Sequence, residues 1–149
     1  MPTLEFRLSL PGVTQRDLWE FHRNPAVLER LTPPAMKLEI LERPNSMRQG
    51  ARIVLRVRPF GVPVTSVSVI TDWEPPRRFS DLQEKGPFAH WKHQHLFSDG
   101  LLVDRIDYEV PLVFLGGRLV DAVLVRPELV RMFRHRHEVT KKALQEASG

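Results

Sequence analysis

The feature that most constrains the fold is a long helical periodicity in the last quarter of the chain, over residues 118–147. With about 100° between successive residues, one face about 160° wide collects the apolar side chains, and the opposite face is charged. Three polar residues, Arg136, His137 and Thr140, nevertheless point with the apolar set. A helix with an arginine and a histidine on its inner face predicts a lined cavity. The apolar members of that face are Leu129, Val130, Met132, Phe133, Ala143, Leu144 and Ala147.

Proline and glycine divide this helical region into two parts. Gly116 and Gly117 open it, and Pro127 interrupts it, because proline lacks the amide hydrogen that a helix interior needs. We therefore expect a short helix from about Arg118, a break, and a main helix that begins at about Pro127.

Composition is that of one ordinary globular domain over residues 1–149, with 42% hydrophobic and 27% charged residues. No apolar run approaches the ~18 residues that span a bilayer, and no signal peptide is evident, so we expect a cytoplasmic protein. The net charge of +4 is spread along the chain, which argues against a nucleic-acid partner. The absence of cysteine excludes disulfides and thiolate chemistry.

The first third of the chain predicts one strand followed by two short helices. Leu4, Phe6, Leu8 and Leu10 alternate with polar residues, as in a half-buried strand. Thr14 and Asp17 have the spacing of a capping box, which starts a helix over Gln15–His22. A second helix is expected to begin at residues 24–25, because asparagine caps helices and proline suits the first helical position. Residues 32–34 end it.

The middle of the chain predicts strands, over residues 37–43, 51–58, 64–73, 78–83, 90–97 and 101–110. Asp99 and Gly100 separate the last two and accept the backbone conformation of a hairpin turn. With the first strand this makes about seven strands, mostly antiparallel, and one long C-terminal helix. The predicted class is α+β rather than alternating α/β.

Four stretches of this chain resemble the START-like or SRPBCC superfamily: residues 24–34, 86–97, 104–111 and 132–136. They are similar to the bacterial ligand-binding branch that is related to polyketide cyclase-like and coenzyme Q-binding-like domains. The resemblance implies a helix-grip fold, in which a curved antiparallel sheet wraps a C-terminal helix around a ligand cavity. It implies no shared reaction that transfers residue by residue.

The strongest candidates for chemistry lie on the predicted hairpin. Alternation places Trp91, His93 and His95 on one face of one strand, and Asp104 and Tyr108 on one face of its partner. A histidine beside an aspartate can exchange protons with a substrate, and the same pair can simply satisfy polar groups within a sheet. Both interpretations remain open. We predict no metal site, because no third histidine or cysteine has supporting spacing.

The helix and the aromatic residues supply the remaining candidates. Arg136 either pairs with a protein carboxylate, extends to the protein edge, or recognises an anionic ligand group. Phe60 lies in a turn rich in proline and glycine, where a gate, a partner contact or plain exposure is expected. The predicted ligand-binding set is Trp73, Trp91, His93, His95, Tyr108, Phe133, Arg136 and His137.

The sequence favours a binding protein over an enzyme. We expect a small, mostly hydrophobic ligand, of lipid, polyketide or quinone type, between the sheet and the C-terminal helix. The alternative is a cyclase, dehydratase or isomerase that uses His93 or His95 with Asp104 in the same cavity. No nucleotide-binding or metalloprotease motif is present, so no cofactor is expected. The oligomeric state is not indicated.

Overall fold

The computed structural model describes residues 2–58, 61–111 and 124–145. Phe60 and the short helix expected from about Arg118 therefore lie outside the described residues. The elements in chain order are β1 (Thr3–Ser9), α1 (Gln15–His22), α2 (Val27–Leu31), a 3₁₀ turn (Pro34–Met36), β2 (Glu39–Glu42), β3 (Arg52–Val57), β4 (Val64–Glu74), β5 (Arg78–Lys85), β6 (His90–Ser98), β7 (Leu101–Glu109) and α3 (Arg126–Leu144).

The seven strands form one antiparallel sheet in the order β1-β7-β6-β5-β4-β3-β2. Only β1 is out of sequence order, since it pairs with β7 across the length of the chain. The β6–β7 hairpin is therefore flanked by β5 on one side and β1 on the other. Its inner-facing side chains lie away from the sheet edges. The predicted α+β class and helix-grip architecture are confirmed.

The predicted start of α1 is confirmed in detail. The Asp17 amide donates to Thr14 Oγ1 over 3.1 Å, and the Thr14 amide donates to the Asp17 carboxylate over 3.3 Å. These two bonds satisfy helix-end donors that would otherwise lack partners. The helix buries Leu18 and Trp19 against the sheet.

The predicted start of the second helix is wrong by about two residues. Asn24 accepts a hydrogen bond from the Ala26 amide over 3.0 Å, so residues 24–26 form a turn and α2 begins at Val27. The asparagine caps a local turn because its side chain reaches the backbone two residues on. The helix ends near Thr32, whose hydroxyl donates to the Leu28 carbonyl.

The helix α3 begins one residue before Pro127, close to the predicted position. Its fully buried residues are Leu129, Phe133, Arg136 and Thr140, which are spaced by three or four and thus form one stripe. The prediction that Arg136 and Thr140 face inward is confirmed. No helix within the described part of the chain is long and apolar enough to cross a membrane.

Two apolar clusters form the core. The first lies under α1 and contains Trp19, Phe79 and Phe97, with Trp73 packed against it. The second lies under α3 and contains Ile106, Tyr108 and Phe133, with Trp91 packed against it. On β6 the buried histidines His93 and His95 lie between Trp91, which packs against the second cluster, and Phe97, which belongs to the first.

Candidate functional site

Alternation along the β6–β7 hairpin delivers a set of polar side chains to the inner face of the sheet. On β6, His93 and His95 are each 4% exposed, and on β7 Asp104 is 2% exposed. Arg105 follows Asp104 on β7 and therefore points to the other face of the sheet. There it is exposed and pairs with Glu5 of β1. The predicted division of the hairpin into two faces is confirmed.

Asp104 joins the sheet to the C-terminal helix. His93 Nε2 donates to Asp104 Oδ1 over 2.6 Å, and His137 Nε2, from α3, donates to Asp104 Oδ2 over 2.7 Å. Both carboxylate oxygens thus accept a histidine proton. The expectation that a β6 histidine bonds a carboxylate of the hairpin partner is confirmed for His93.

His95 bonds a different carboxylate, on the strand at the other side of β6. Its Nε2 donates to Asp81 Oδ2 of β5 over 2.8 Å. The Cα partners in the sheet are His95 with Asp104 and His93 with Asp81, so each histidine bonds the carboxylate diagonal to it. The two imidazole rings stack with centroids 3.7 Å apart, and Phe79 stacks on the far side of His95 at 4.0 Å.

The electrostatics of the cluster favour ionised carboxylates and a neutral His95. Burial by itself raises the pKa of Asp104, but the hydrogen bonds from His137 and His93 outweigh it and hold the pKa well below its usual value. The pKa of Asp81 is also lowered. Burial by itself raises it, but the hydrogen bond from His95 and the charge of His93 outweigh burial. Burial and the neighbouring His93 lower the pKa of His95 to about 4.

Arg136 is the cation of this site. It is 9% exposed, and its guanidinium lies over the Phe133 ring at 5.4 Å from the centroid. Among the described residues, no hydrogen bond and no ion pair within 4.0 Å involves the guanidinium, whereas the Arg136 backbone carbonyl accepts from Thr140 Oγ1 over 2.9 Å. Burial lowers its pKa, while the charges of Asp104 and Asp81 act in the opposite direction. Of the three roles predicted for Arg136, direct pairing with a described carboxylate does not occur.

Aromatic side chains border the polar cluster on the α3 side. The Phe133 ring meets His93 edge-on at 5.1 Å and stacks on Phe6 at 4.8 Å. The Trp91 ring meets His93 edge-on at 6.5 Å and lies 4.8 Å from Phe88. These rings give the cluster an apolar wall that joins β1, β6 and α3.

The predicted ligand-binding residues separate into three groups. His93, His95 and His137 lie in the Asp81–Asp104 network, with Phe133 and Arg136 directly beside it. Tyr108 is fully buried in the second apolar cluster, against which Trp91 packs. Trp73 lies apart, because it packs on Trp19 at 4.6 Å and on Phe79 at 5.7 Å under α1.

Two members of the site were missed by sequence reasoning. Asp81 is on β5, and His22 is at the end of α1, where its Nδ1 donates to the Leu18 carbonyl over 2.8 Å. Burial lowers the pKa of His22 to about 3, and the charges of Asp104, His95 and Arg136 also act on it. Asp81 is only partly buried, and no local sequence pattern indicated that it bonds a β6 histidine.

Two surface depressions lie elsewhere. One of about 640 Å³ is lined by the loop from Pro44 to Ala51, and one of about 380 Å³ lies beside Glu74, Arg77 and Arg78. Neither is lined by a histidine or by the buried carboxylates of the network.

Comparison with solved structures identifies the fold. A START superfamily protein from Mycobacterium smegmatis superposes with a TM-score of 0.69 at 14% identity, over 97% of this chain and 98% of that one. The Zhui aromatase/cyclase from Streptomyces sp. R1128 gives 0.68 at 20% identity, over 95% of both chains. The di-domain ARO/CYC BexL gives 0.66 at 17% identity, over 95% of this chain and 47% of that chain.

No protein-family model and no curated protein matches this sequence. The chain has the START-like, polyketide cyclase-like fold, as its sequence resemblance implied. At these identities the likeness concerns the fold, and function has to be argued from the site.

Proposed function

We propose that the protein binds a small, mostly hydrophobic molecule between the inner face of the sheet and α3. Phe133, Trp91 and Tyr108 contact its apolar part, and Arg136 donates hydrogen bonds to an oxygen at its polar end. The proposal covers lipid-, polyketide- and quinone-like molecules, since each joins a large apolar surface to a carbonyl or carboxylate oxygen.

The observation that carries this proposal is the buried Arg136. A guanidinium has five N–H donors, and holding one at 9% exposure without acceptors from the protein costs free energy. Within the described residues, Arg136 gains a cation–π contact with Phe133 and the distant attraction of two carboxylates. A ligand oxygen that accepts hydrogen bonds from the guanidinium compensates this cost. Arg136 therefore contributes more to ligand binding than to the stability of the free protein.

The fold supports the same proposal by analogy. A START superfamily protein and two aromatase/cyclases share this architecture, which is consistent with a ligand held between sheet and helix. Burial of ligand surface contributes roughly 25 cal/mol per Å² before the entropy costs of binding, so the aromatic wall supplies affinity. Arg136 and His137 then supply orientation.

The test combines retained ligand with probe titration. Native mass spectrometry of protein purified from its own host is expected to show a reproducible small bound mass. Titration with oleic acid, a hydroxyanthraquinone and a short-chain quinone, followed by tryptophan fluorescence, is expected to show saturable binding of at least one probe. Arg136→Met is expected to weaken that binding about tenfold or more, which corresponds to a lost charge-assisted hydrogen bond.

The matched control is Arg134→Met, which removes an exposed arginine from the outer side of the same helix. It is expected to leave probe affinity unchanged. Absence of any retained mass together with no saturable binding of the three probes would refute the binding function. Equal affinity in wild type and Arg136→Met would remove Arg136 from the site.

A second candidate function is catalysis of cyclisation, dehydration or isomerisation in the same place. The observation in its favour is the chain of hydrogen bonds from His93 through Asp104 to His137. A carboxylate that holds an imidazole in one tautomer is a common arrangement for proton transfer. In such a reaction one histidine takes a proton from the carbon between two substrate carbonyls, and Arg136 stabilises the enolate oxygen.

The two functions differ in turnover. An enzyme is expected to convert a poly-β-ketone analogue with a bell-shaped pH–rate profile that His93→Gln or Asp104→Asn abolishes. A carrier or sensor exchanges the bound molecule unchanged. Recovery of every probe intact, with saturable binding, favours the binding function over the enzyme.

A further inference from the structure

Three side chains of the buried network present metal-ligand atoms to one another. Asp81, His93 and His95 each offer one such atom, and these atoms all lie within 4.8 Å of one another. Asp81 Oδ2 is 2.8 Å from His95 Nε2 and 3.9 Å from His93 Nδ1. In a tetrahedral site with bonds of about 2.0–2.1 Å, neighbouring ligand atoms are roughly 3.3 Å apart. The two observed distances lie on either side of that value.

Strand pairing alone places these three side chains side by side. His93 and His95 are separated by one residue on β6, and Asp81 is the Cα partner of His93 on the adjacent strand β5. Side chains at i and i+2 share one face of a strand, and a paired strand supplies the third ligand beside them. Two imidazoles and one carboxylate form a donor set that suits divalent transition metals and leaves a coordination position open.

A second carboxylate occupies the position that orients metal-bound histidines. A ligating histidine usually donates its other ring proton to a carboxylate, which fixes the tautomer. His93 Nε2 already donates to Asp104 over 2.6 Å, on the side of the ring away from Asp81. His95 Nδ1 lies 3.7 Å from the same Asp104 oxygen.

The nitrogen His95 Nδ1 is an independent indication. It is buried, and within the described part of the chain it has no hydrogen-bond partner. When Nε2 carries the proton that Asp81 accepts, Nδ1 presents a lone pair towards the Asp104 carboxylate, which is an unfavourable arrangement. When a cation takes Nε2, the proton moves to Nδ1 and faces Asp104 instead. Binding of an ion therefore gives His95 Nδ1 a partner and removes the lone-pair repulsion.

We propose that Asp81, His93 and His95 bind a divalent transition-metal ion such as Zn²⁺, with Asp104 holding the His93 ring in place. This departs from the expectation of no metal site, which assumed that the third ligand had to be a histidine or a cysteine. Coordination requires the stacked rings to turn about their side-chain bonds, because their planes are now 28° apart. The proposal is independent of the proposed hydrophobic ligand.

The experiment uses the full chain after removal of metals with EDTA. Titration with Co²⁺ is expected to give visible absorption typical of four-coordinate sites and to saturate at about one ion per chain. Zn²⁺ is expected to displace Co²⁺ with loss of the absorption. X-ray absorption of the Zn²⁺-loaded wild type is expected to show two imidazole ligands at about 2.0–2.1 Å.

Variants locate the site. His95→Gln and Asp81→Asn are expected to abolish stoichiometric Co²⁺ binding, and Asp104→Asn is expected to weaken it about 10–100-fold. His135→Gln, on the outer side of α3, is the control and is expected to bind Co²⁺ as the wild type does. Circular dichroism of each variant confirms folding, and the wild-type X-ray absorption measurement decides the question where a variant does not fold.

Two results would overturn the proposal. One is the absence of stoichiometric Co²⁺ and Zn²⁺ binding by folded wild type, and the other is binding that His95→Gln and Asp81→Asn leave unchanged. Titrating the EDTA-treated protein with the hydrophobic probes tests the proposed ligand binding separately from metal binding. Saturable binding of a hydrophobic probe in the absence of metal retains the proposed function whatever the outcome for the ion.

Discussion

Asp104 on β7 and His137 on α3 share a 2.7 Å hydrogen bond that connects the centre of the sheet to the inner face of the C-terminal helix. Asp104 is almost fully buried, and the His137 side chain is 11% exposed. The bond joins the two elements between which a ligand is proposed to bind. It therefore couples the stability of the helix–sheet packing to the chemistry of the site.

The first prediction concerns that bond. His137→Ala is expected to lower the free energy of unfolding by about 1.5–3 kcal/mol, because one oxygen of a buried carboxylate loses its donor. Urea denaturation measures the effect. His135→Ala on the same helix is the control and is expected to change stability by about 0.5 kcal/mol or less, since His135 makes only a 3.3 Å contact with a backbone carbonyl. Equal effects of the two variants would contradict the assignment.

The second prediction concerns the attraction between Arg136 and Asp104. Each of Arg136→Met and Asp104→Asn leaves an opposite charge buried with less compensation, so each is expected to be destabilising. The double variant is expected to lose less stability than the sum, with a coupling of about 0.5–3 kcal/mol.

The control for that cycle pairs Asp104→Asn with Arg134→Met. Arg134 is exposed on α3, so these two changes are expected to add within about 0.3–0.5 kcal/mol. Thermal and urea unfolding of the four variants and the wild type give the two coupling energies. A coupling of zero for Arg136 would show that the two charges do not act on each other.

Much of the fold was predictable because local patterns fix it. The capping box of Thr14 and Asp17 gives the start of α1, and Asp99 with Gly100 gives the turn between β6 and β7. Helical periodicity placed Arg136 on the inner face of α3. These features depend on neighbours within a few residues, which is the range over which sequence patterns act. The predicted start of α2 was wrong because an asparagine that caps a helix and an asparagine that closes a turn occur in the same kind of local sequence. The sequence around Asn24 did not distinguish the two.

The composition of the site was only partly predictable because it depends on pairing between distant segments. The hairpin turn sets the register of β6 and β7, so a bond between a β6 histidine and Asp104 was foreseeable. The register pairs Asp104 with His95, so it did not indicate that the diagonal residue His93 makes the bond. Asp81 reaches His95 from β5, which a longer connection joins to β6, and no local signal fixes that register. His22 enters through the docking of α1 on β6, a tertiary contact that periodicity does not encode.

The third prediction concerns pH and His22. The pKa of this histidine is about 3 in the folded protein and near 6.5 when exposed, so protonation favours the unfolded chain. Above pH 6.5 His22 is neutral in both states and does not reduce the free energy of unfolding. As the pH falls from 6.5 towards 3, the unfolded chain takes up a proton that the folded protein does not, and the free energy of unfolding decreases. The loss approaches about 1.4 kcal/mol per pH unit for one proton.

His22→Gln isolates this contribution, because the other buried groups, such as His95 and Asp104, titrate in both proteins. The difference in unfolding free energy between wild type and variant is expected to be constant above pH 6.5. Below it, the wild type is expected to lose stability more steeply than the variant. Urea midpoints at a series of pH values measure the slopes, and parallel curves down to pH 4 would contradict a partly buried His22 that is neutral in the folded protein.

The last prediction concerns the turn that sets the hairpin register. Gly100 has φ of +72°, and its amide and carbonyl bond Val13 and Leu10 at 2.8 and 2.7 Å. A Cβ at this position meets the Leu10 carbonyl oxygen at 3.5 Å, an ordinary contact, so backbone strain is the main cost of a substitution. Gly100→Ala is expected to lower the free energy of unfolding by about 1–2 kcal/mol. Gly100→Asn is expected to cost less, because asparagine adopts positive φ more readily than alanine. Urea denaturation measures both changes, and equal losses would show that a contact rather than the φ angle determines the cost.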